Sequence, residues 1–290
     1  MDVLPDGAEK YRLIKALRPF SYSVALVSCG LGSLIAAVQE DGNVIRAVLV
    51  IVAGILLQAA SNLANDYEDI DHWRHYPNIK ASAVVRRIRF NFILAGILVL
   101  IAVFIGIMFA SDVGWPLLVL GAVGIIGGYS YTGEPIHYKL LGLGVLGVFL
   151  FTGVLMVTGA YYAVAGVWNN QMIWISIPVS MLASALLMSN EIRDYQEDKK
   201  ASIGTLIVRI GINRGKYLYV VMIAGVYPVS GCLYMAGLIH HFAYLLPSLL
   251  FMVQLLKRLL LSSSDELWRV PPLTGRFFMI FGVSFILSAI

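Results

Sequence analysis

The chain holds nine apolar runs long enough to cross or nearly cross a bilayer, at about 20–38, 44–66, 91–110, 115–131, 142–165, 172–190, 217–238, 243–260 and 275–290. In lipid every backbone polar group must be satisfied within the protein, so such runs become helices. The fourth is short and rich in glycine, and the eighth contains Pro247. Only 13% of residues are charged, about half of what a soluble domain carries. The expected fold class is therefore an all-α integral membrane protein with nine transmembrane helices. No loop is long enough for a separate soluble domain. The reading is one polytopic domain, 1–290, with an interfacial lead-in at 1–18. Met1–Lys10 is polar with three acids and is not expected to be a cleaved leader.

Charge orients these spans. With the N-terminus in the cytoplasm and strict alternation, twenty of the 21 Lys and Arg fall on the cytoplasmic side, and only Arg46 falls opposite. That is the positive-inside pattern, and it places the C-terminus outside. The net charge of +4 then reflects topology and implies no nucleic-acid partner. Lys10, Arg12, Lys15 and Arg18, interleaved with Leu13, Ile14 and Leu17, read as an amphipathic interfacial helix. Cys29 and Cys232 lie inside apolar runs and are expected to be buried small hydrophobes.

Two acidic stretches interrupt this economy. Ser61–His75 reads SNLANDYEDIDHWRH, and Ser189–Lys200 reads SNEIRDYQEDKK, each directly after an apolar run. Ionisable groups at membrane depth are costly and mark function. Both stretches contain Asn-x-x-x-Asp, Asn65 with Asp69 and Asn190 with Asp194, and on a helix i and i+4 share a face. Asp198 extends the second face. Asn62 and Asp66 have the same spacing, so the register of the first motif stays open on spacing alone. Oxygen ligands without a His/Cys set suit Mg²⁺, which joins a few carboxylates to substrate phosphates. The motifs follow the second and sixth spans, which points to two repeated four-helix halves, about 20–131 and 142–260, plus a ninth helix at 275–290.

Cations on the same side suit a diphosphate. Arg193, set inside an acidic motif, and Lys139, the sole basic residue of its loop, are the leading candidates, with Lys80 and Arg86 beside them. Many of the other cations serve topology. Tyr67, Tyr131 and Asp71 are candidate pocket residues. Tyr131 and Tyr138 also fit an interfacial aromatic belt, and His72, His75 and His137 read as interface residues before proton carriers. An apolar interior suits a long hydrocarbon tail. The substrate expected on these grounds is a lipid diphosphate with its head at the cytoplasmic rim.

The two motifs, with Leu17-Arg18-Pro19 before the first span, resemble the aspartate-rich motifs of the UbiA superfamily of intramembrane prenyltransferases over nearly the whole chain. Tyr131-Thr132-Gly133-Glu134-Pro135, Gly142-Leu143-Gly144 and the run from Arg193 to Gly211 are most similar to the dihydroxynaphthoate branch. That branch carries a third acid where this chain has His75, and other branches carry it at Trp73; Val145 stands where an acid tends to follow Gly144. The resemblance implies Mg²⁺-assisted departure of diphosphate and attack of an electron-rich aromatic acceptor on the allylic cation. It assigns Asp69, Asp194 and Asp198 as catalytic metal ligands and Asn65 and Asn190 as supporting ligands, and it favours the Asn65–Asp69 register. Asp66 is a secondary metal ligand, and Asp71 a stand-in for the absent third acid. A membrane terpene cyclase of the same superfamily and, remotely, a transporter are the alternatives. The expected location is the cytoplasmic membrane of a prokaryote.

Overall fold

The computed structural model describes residues 7–40, 43–75, 81–261 and 264–290, and every regular element among them is helical. Nine principal helices follow in order. They are α1 (Tyr22–Gln39), α2 (Val44–Asn65), α3 (Ala81–Val113), α4 (Pro116–Tyr129), α5 (Gly144–Ala165), α6 (Gln171–Lys200), α7 (Ile212–Met235), α8 (Ser248–Leu261) and α9 (Val270–Ala289). Eight of the helical stretches are long and apolar enough to span a membrane. The exception is α4, whose 14 residues give about 21 Å of rise against roughly 30 Å of hydrocarbon. This is the short, glycine-rich fourth run.

Two helices form the interior. The apolar windows of the stretches containing α1 and α6 are 72% and 78% buried, against 17% for α3. Lipid gives no hydrophobic drive between helices, so close approach by small residues must supply the packing. α1 carries Ser28, Gly30, Gly32 and Ser33 in its middle, and α6 carries Ser176, Ser180, Ala183, Ser184 and Ala185. α1 packs along α5 so closely that a Cβ on Gly32 would lie 2.1 Å from the Val157 carbonyl oxygen and 2.8 Å from the Tyr161 nitrogen. α9 closes the bundle with an aromatic ladder, Phe277, Phe281 and Phe285, which Tyr227 of α7 meets edge-on at 5.5 Å. In the middle of α5, Phe149–Leu155 is wound as a π-helix.

Local chemistry sets the ends. The Asn43 side chain accepts from the Ile45 and Arg46 amides and starts α2. Arg46 pairs with Asp112 at the end of α3, so these groups share the rim opposite the acidic end of α2.

Two expectations need correction. The lead-in is not one amphipathic helix: Ala8–Tyr11 is a 3₁₀ turn, Arg12 is extended (φ −62, ψ 133), and Leu13–Ala16 is a single α turn. Tyr11 is buried, and its contacts bend the segment inward. α3 begins at Ala81 and carries Arg86, Arg87 and Arg89; α6 runs to Lys200, and Leu206–Ile210 forms a short helix. Within the eighth span, Phe242–Leu261, Pro247 sits at the turn where Phe242–Leu245 gives way to α8. Cys232 is exposed on α7; only Cys29 is buried.

Candidate active site at the acidic rim

The first motif leaves the α-helix. α2 ends at Asn65, Asp66–Asp69 tightens to a 3₁₀ turn, and Ile70–Arg74 resumes as α-helix. Three residues per turn brings Asp66 and Asp69 into line. Each acid then meets a cation of the lead-in. Lys10 Nζ donates to Asp69 Oδ2 at 2.9 Å, and Arg18 donates to Asp66 Oδ1 at 2.7 Å. Tyr11 Oη donates to the same Asp69 oxygen at 2.8 Å and accepts from Trp73 Nε1 at 2.9 Å. Burial, followed by the Asp69 charge, pushes the Tyr11 phenol well above its ordinary value, so it stays a donor.

Asn62 serves the turn into the first span. It is buried, and its amide donates to the Leu17 carbonyl at 2.8 Å and to Ser21 Oγ at 2.7 Å, holding the turn into α1. Asn65 is half-buried and faces Thr132, whose hydroxyl lies 3.4 Å from its Oδ1. Asp71 is exposed and pairs with Arg74, and Tyr67 packs on Phe92 at 4.3 Å. Neither joins the cluster of paired acids.

The second motif stays on one continuous helix. Asn190 donates to the Leu186 carbonyl at 3.2 Å. Arg193 is bidentate to its neighbour Asp194, both bonds 2.6 Å. Asp198 receives the Thr205 hydroxyl at 3.4 Å. Glu191, which spacing did not single out, is buried and accepts the Ile207 amide at 3.1 Å, capping Leu206–Ile210.

The segment 130–143 joins the motifs. On one side Thr132 meets Asn65, Lys139 Nζ donates to Glu68 at 3.0 Å, and His137 lies 3.3 Å from Glu68. On the other, Arg209 donates to the Gly204 carbonyl at 2.8 Å and to the Leu140 carbonyl at 2.7 Å. Gly142 makes room for it: its φ is +76°, and a Cβ there would sit 2.5 Å from Arg209 Cδ. Lys139 lies within electrostatic reach of Asp69, Glu191 and Asp198. Burial, with the Glu191 and Glu68 charges, raises the Tyr131 phenol, and burial pushes Tyr138 up to about 12. Tyr131 and Tyr138 meet edge-on at 5.6 Å. Arg86 is exposed on α3, and Lys80 lies outside the described residues.

The donor set fits a hard cation. It is all oxygen, from Asn65, Asp66, Asp69, Asn190, Asp194 and Asp198. A cation of this kind takes part of its shell from phosphate and water. Asp66 Oδ2 is buried without a hydrogen-bond partner, an orphan acceptor that a cation would satisfy.

A helical membrane bundle with two acid–amide motifs at one rim, linked by a shared lysine, is an intramembrane protein with a charged site at the mouth of an apolar interior. The chain belongs to the UbiA prenyltransferase family, whose model matches residues 25–281, and is a transferase of prenyl groups. It is 31% identical over 222 residues to a 1,4-dihydroxy-2-naphthoate octaprenyltransferase of Haemophilus influenzae, covering 71% of each chain. Its fold is that of a UbiA homolog from Aeropyrum pernix K1 (TM-score 0.69, 17% identity, 94% of this chain and 99% of that one). It is also that of a UbiA homolog from Archaeoglobus fulgidus bound to GPP and Mg²⁺ (TM-score 0.63, 18% identity, 96% and 100%).

Proposed function

We propose that the chain is a Mg²⁺-dependent enzyme that moves a prenyl group from an isoprenoid diphosphate to an aromatic acceptor of the dihydroxynaphthoate class. The supporting observation is the bridging segment 130–143, which meets Asn65 and Glu68 on one side and reaches the second motif's side through Leu140 and Arg209. Bound Mg²⁺ supplies electrostatic stabilisation of the departing diphosphate. Asp69, Asp194 and Asp198 hold it, with Asn65, Asn190 and Asp66 in support. Lys139 and Arg193 bind the diphosphate oxygens by charge-assisted hydrogen bonds. Tyr131, kept protonated, offers a ring face toward the cationic prenyl carbon. The apolar bundle takes the tail and excludes water.

The charge asymmetry supports a cytoplasmic rim in a prokaryotic cytoplasmic membrane, N-terminus inside and C-terminus outside. The placement of the motifs after α2 and α6 supports two repeated four-helix halves, about 20–131 and 142–260, plus α9.

The test is an assay in nanodiscs with a prenyl diphosphate and Mg²⁺, with and without dihydroxynaphthoate or 4-hydroxybenzoate, read by mass spectrometry. A prenylated aromatic, lost with EDTA and with Asp194→Ala, is the expected result. A cyclised hydrocarbon formed without acceptor overturns the transfer reading in favour of a terpene cyclase.

A further inference from the structure

A groove of about 530 Å³ opens between α8 and α9, lined by Gln254, Arg258, Trp268, Arg269, Pro272 and Leu273. Gln254 and Arg258 lie one turn apart on α8, and Arg269, Pro272 and Leu273 share a face of the turn that opens α9. The same pattern continues deeper. Arg276 follows Leu273 by three residues, and its guanidinium lies 6.0 Å from the ring of Phe251, three residues before Gln254. Arg258 and Arg269 therefore line the groove, and Arg276 stands beyond it on the face that Leu273 begins. Arg258 pairs with Glu266 at 3.3 Å. Arg269 lies over the Trp268 ring at 5.0 Å. Among the described residues neither Arg269 nor Arg276 forms an ion pair.

Depth makes this arrangement chemically demanding. Arg276 stands six residues into α9, about 9 Å along the axis. The adjacent Gly275 is packed against α1's lead-in turn, where a Cβ would lie 2.9 Å from the Phe20 carbonyl oxygen. Arg276 is exposed, and an exposed cation at that depth calls for an anion. The walls supply the other half of the ligand's description: Trp268, Pro272 and Leu273 are apolar, and Trp268 is exposed. A free phosphate would leave those walls bare, whereas a lipid phosphate covers them with its chains.

We propose that this groove binds the head group of an anionic glycerophospholipid, with Arg269 and Arg276 meeting its phosphate and Trp268 set at the water–lipid boundary. The site lies on α8 and α9 and uses none of the acidic motifs.

The full chain would be reconstituted in nanodiscs of equal phosphatidylglycerol and phosphatidylcholine, extracted into detergent and weighed by native mass spectrometry. Wild type is expected to retain phosphatidylglycerol in preference to phosphatidylcholine. Arg269→Gln with Arg276→Gln is expected to cut that preference about tenfold or more, while Lys257→Gln, an exposed cation outside the groove, leaves it unchanged. Equal retention of both lipids by wild type, or undiminished preference in the double variant, overturns the proposal. Two competition arms on wild type need no variant to fold. Displacement of the lipid by inorganic phosphate overturns it in favour of a free-anion site. Displacement by an isoprenoid diphosphate overturns it in favour of a substrate site.

Discussion

The first acidic motif rests on a 3₁₀ turn and takes its counter-charges from residues about fifty to sixty positions earlier; the second rests on an unbroken α-helix and carries its own arginine. Asp66 and Asp69 are held by Arg18, Lys10 and Tyr11, whereas Asp194 is held by its neighbour Arg193. One motif is assembled by tertiary structure, the other by secondary structure. The first should therefore be sensitive to changes in the lead-in segment, and the second only to changes within itself and its following loop.

The largest effect should fall on the self-contained motif. Asp194→Asn or Asp198→Asn keeps the helix and is expected to lower prenyl transfer by about 10²–10³-fold, measured as product per enzyme at saturating Mg²⁺ with an unchanged melting temperature.

At the first motif the largest effect should be on folding. Asp66 is 2% exposed, and removing Arg18 leaves its charge unpaired. Such losses cost about 3–5 kcal/mol, and the partial exposure of Arg18 places Arg18→Gln near the lower end. Thermal unfolding in detergent measures it. Arg18→Gln combined with Asp66→Asn should recover most of the stability, and a double variant as unstable as the single one would show that Arg18 acts elsewhere.

Tyr11→Phe removes one donor from Asp69 and sharpens the comparison further. A hydrogen bond to a charged group is worth about 1.5–3 kcal/mol, so the half-saturating Mg²⁺ concentration should rise roughly tenfold with little change in kcat. Because burial keeps the phenol protonated, the ratio to wild type should be flat between about pH 6 and about pH 9. A pH-dependent ratio would mean that Tyr11 titrates.

The smallest effect should come from the link between the two sides. Lysine cannot reproduce the guanidinium fork that Arg209 extends to Gly204 and Leu140. Arg209→Lys is expected to lower kcat/KM about threefold at unchanged stability.

The same contrast governs what could be read from the residues alone. Helical periodicity brought Asn190, Asp194 and Asp198 together because the structure there is a helix. It gave the wrong geometry at Asp66–Asp69, where a 3₁₀ turn changes the residues per turn. The spans were legible because lipid leaves the backbone no other choice. Tyr11, Trp73 and Arg209 were not, because each acts through contacts to residues distant in sequence. Trp73 is instructive: it occupies the place of an acid in related branches, and here it donates to the phenol that holds Asp69.

The π-wound turns of α5 set a condition on chain length. A π segment amounts to one residue more than an α-helix would use over the same span. Removing a single residue from Phe149–Leu155 would let those turns rewind as α with little change of phase, whereas removing one from the α-wound turn Gly144–Val148 would rotate everything after it by about 100°. In the second case Val157 and Tyr161 would swing away from Gly32, the point at which α1 and α5 meet backbone to backbone. The π-wound turns thus hold slack in the phase of α5, and a one-residue deletion should be better tolerated there than in the α-wound turn before them.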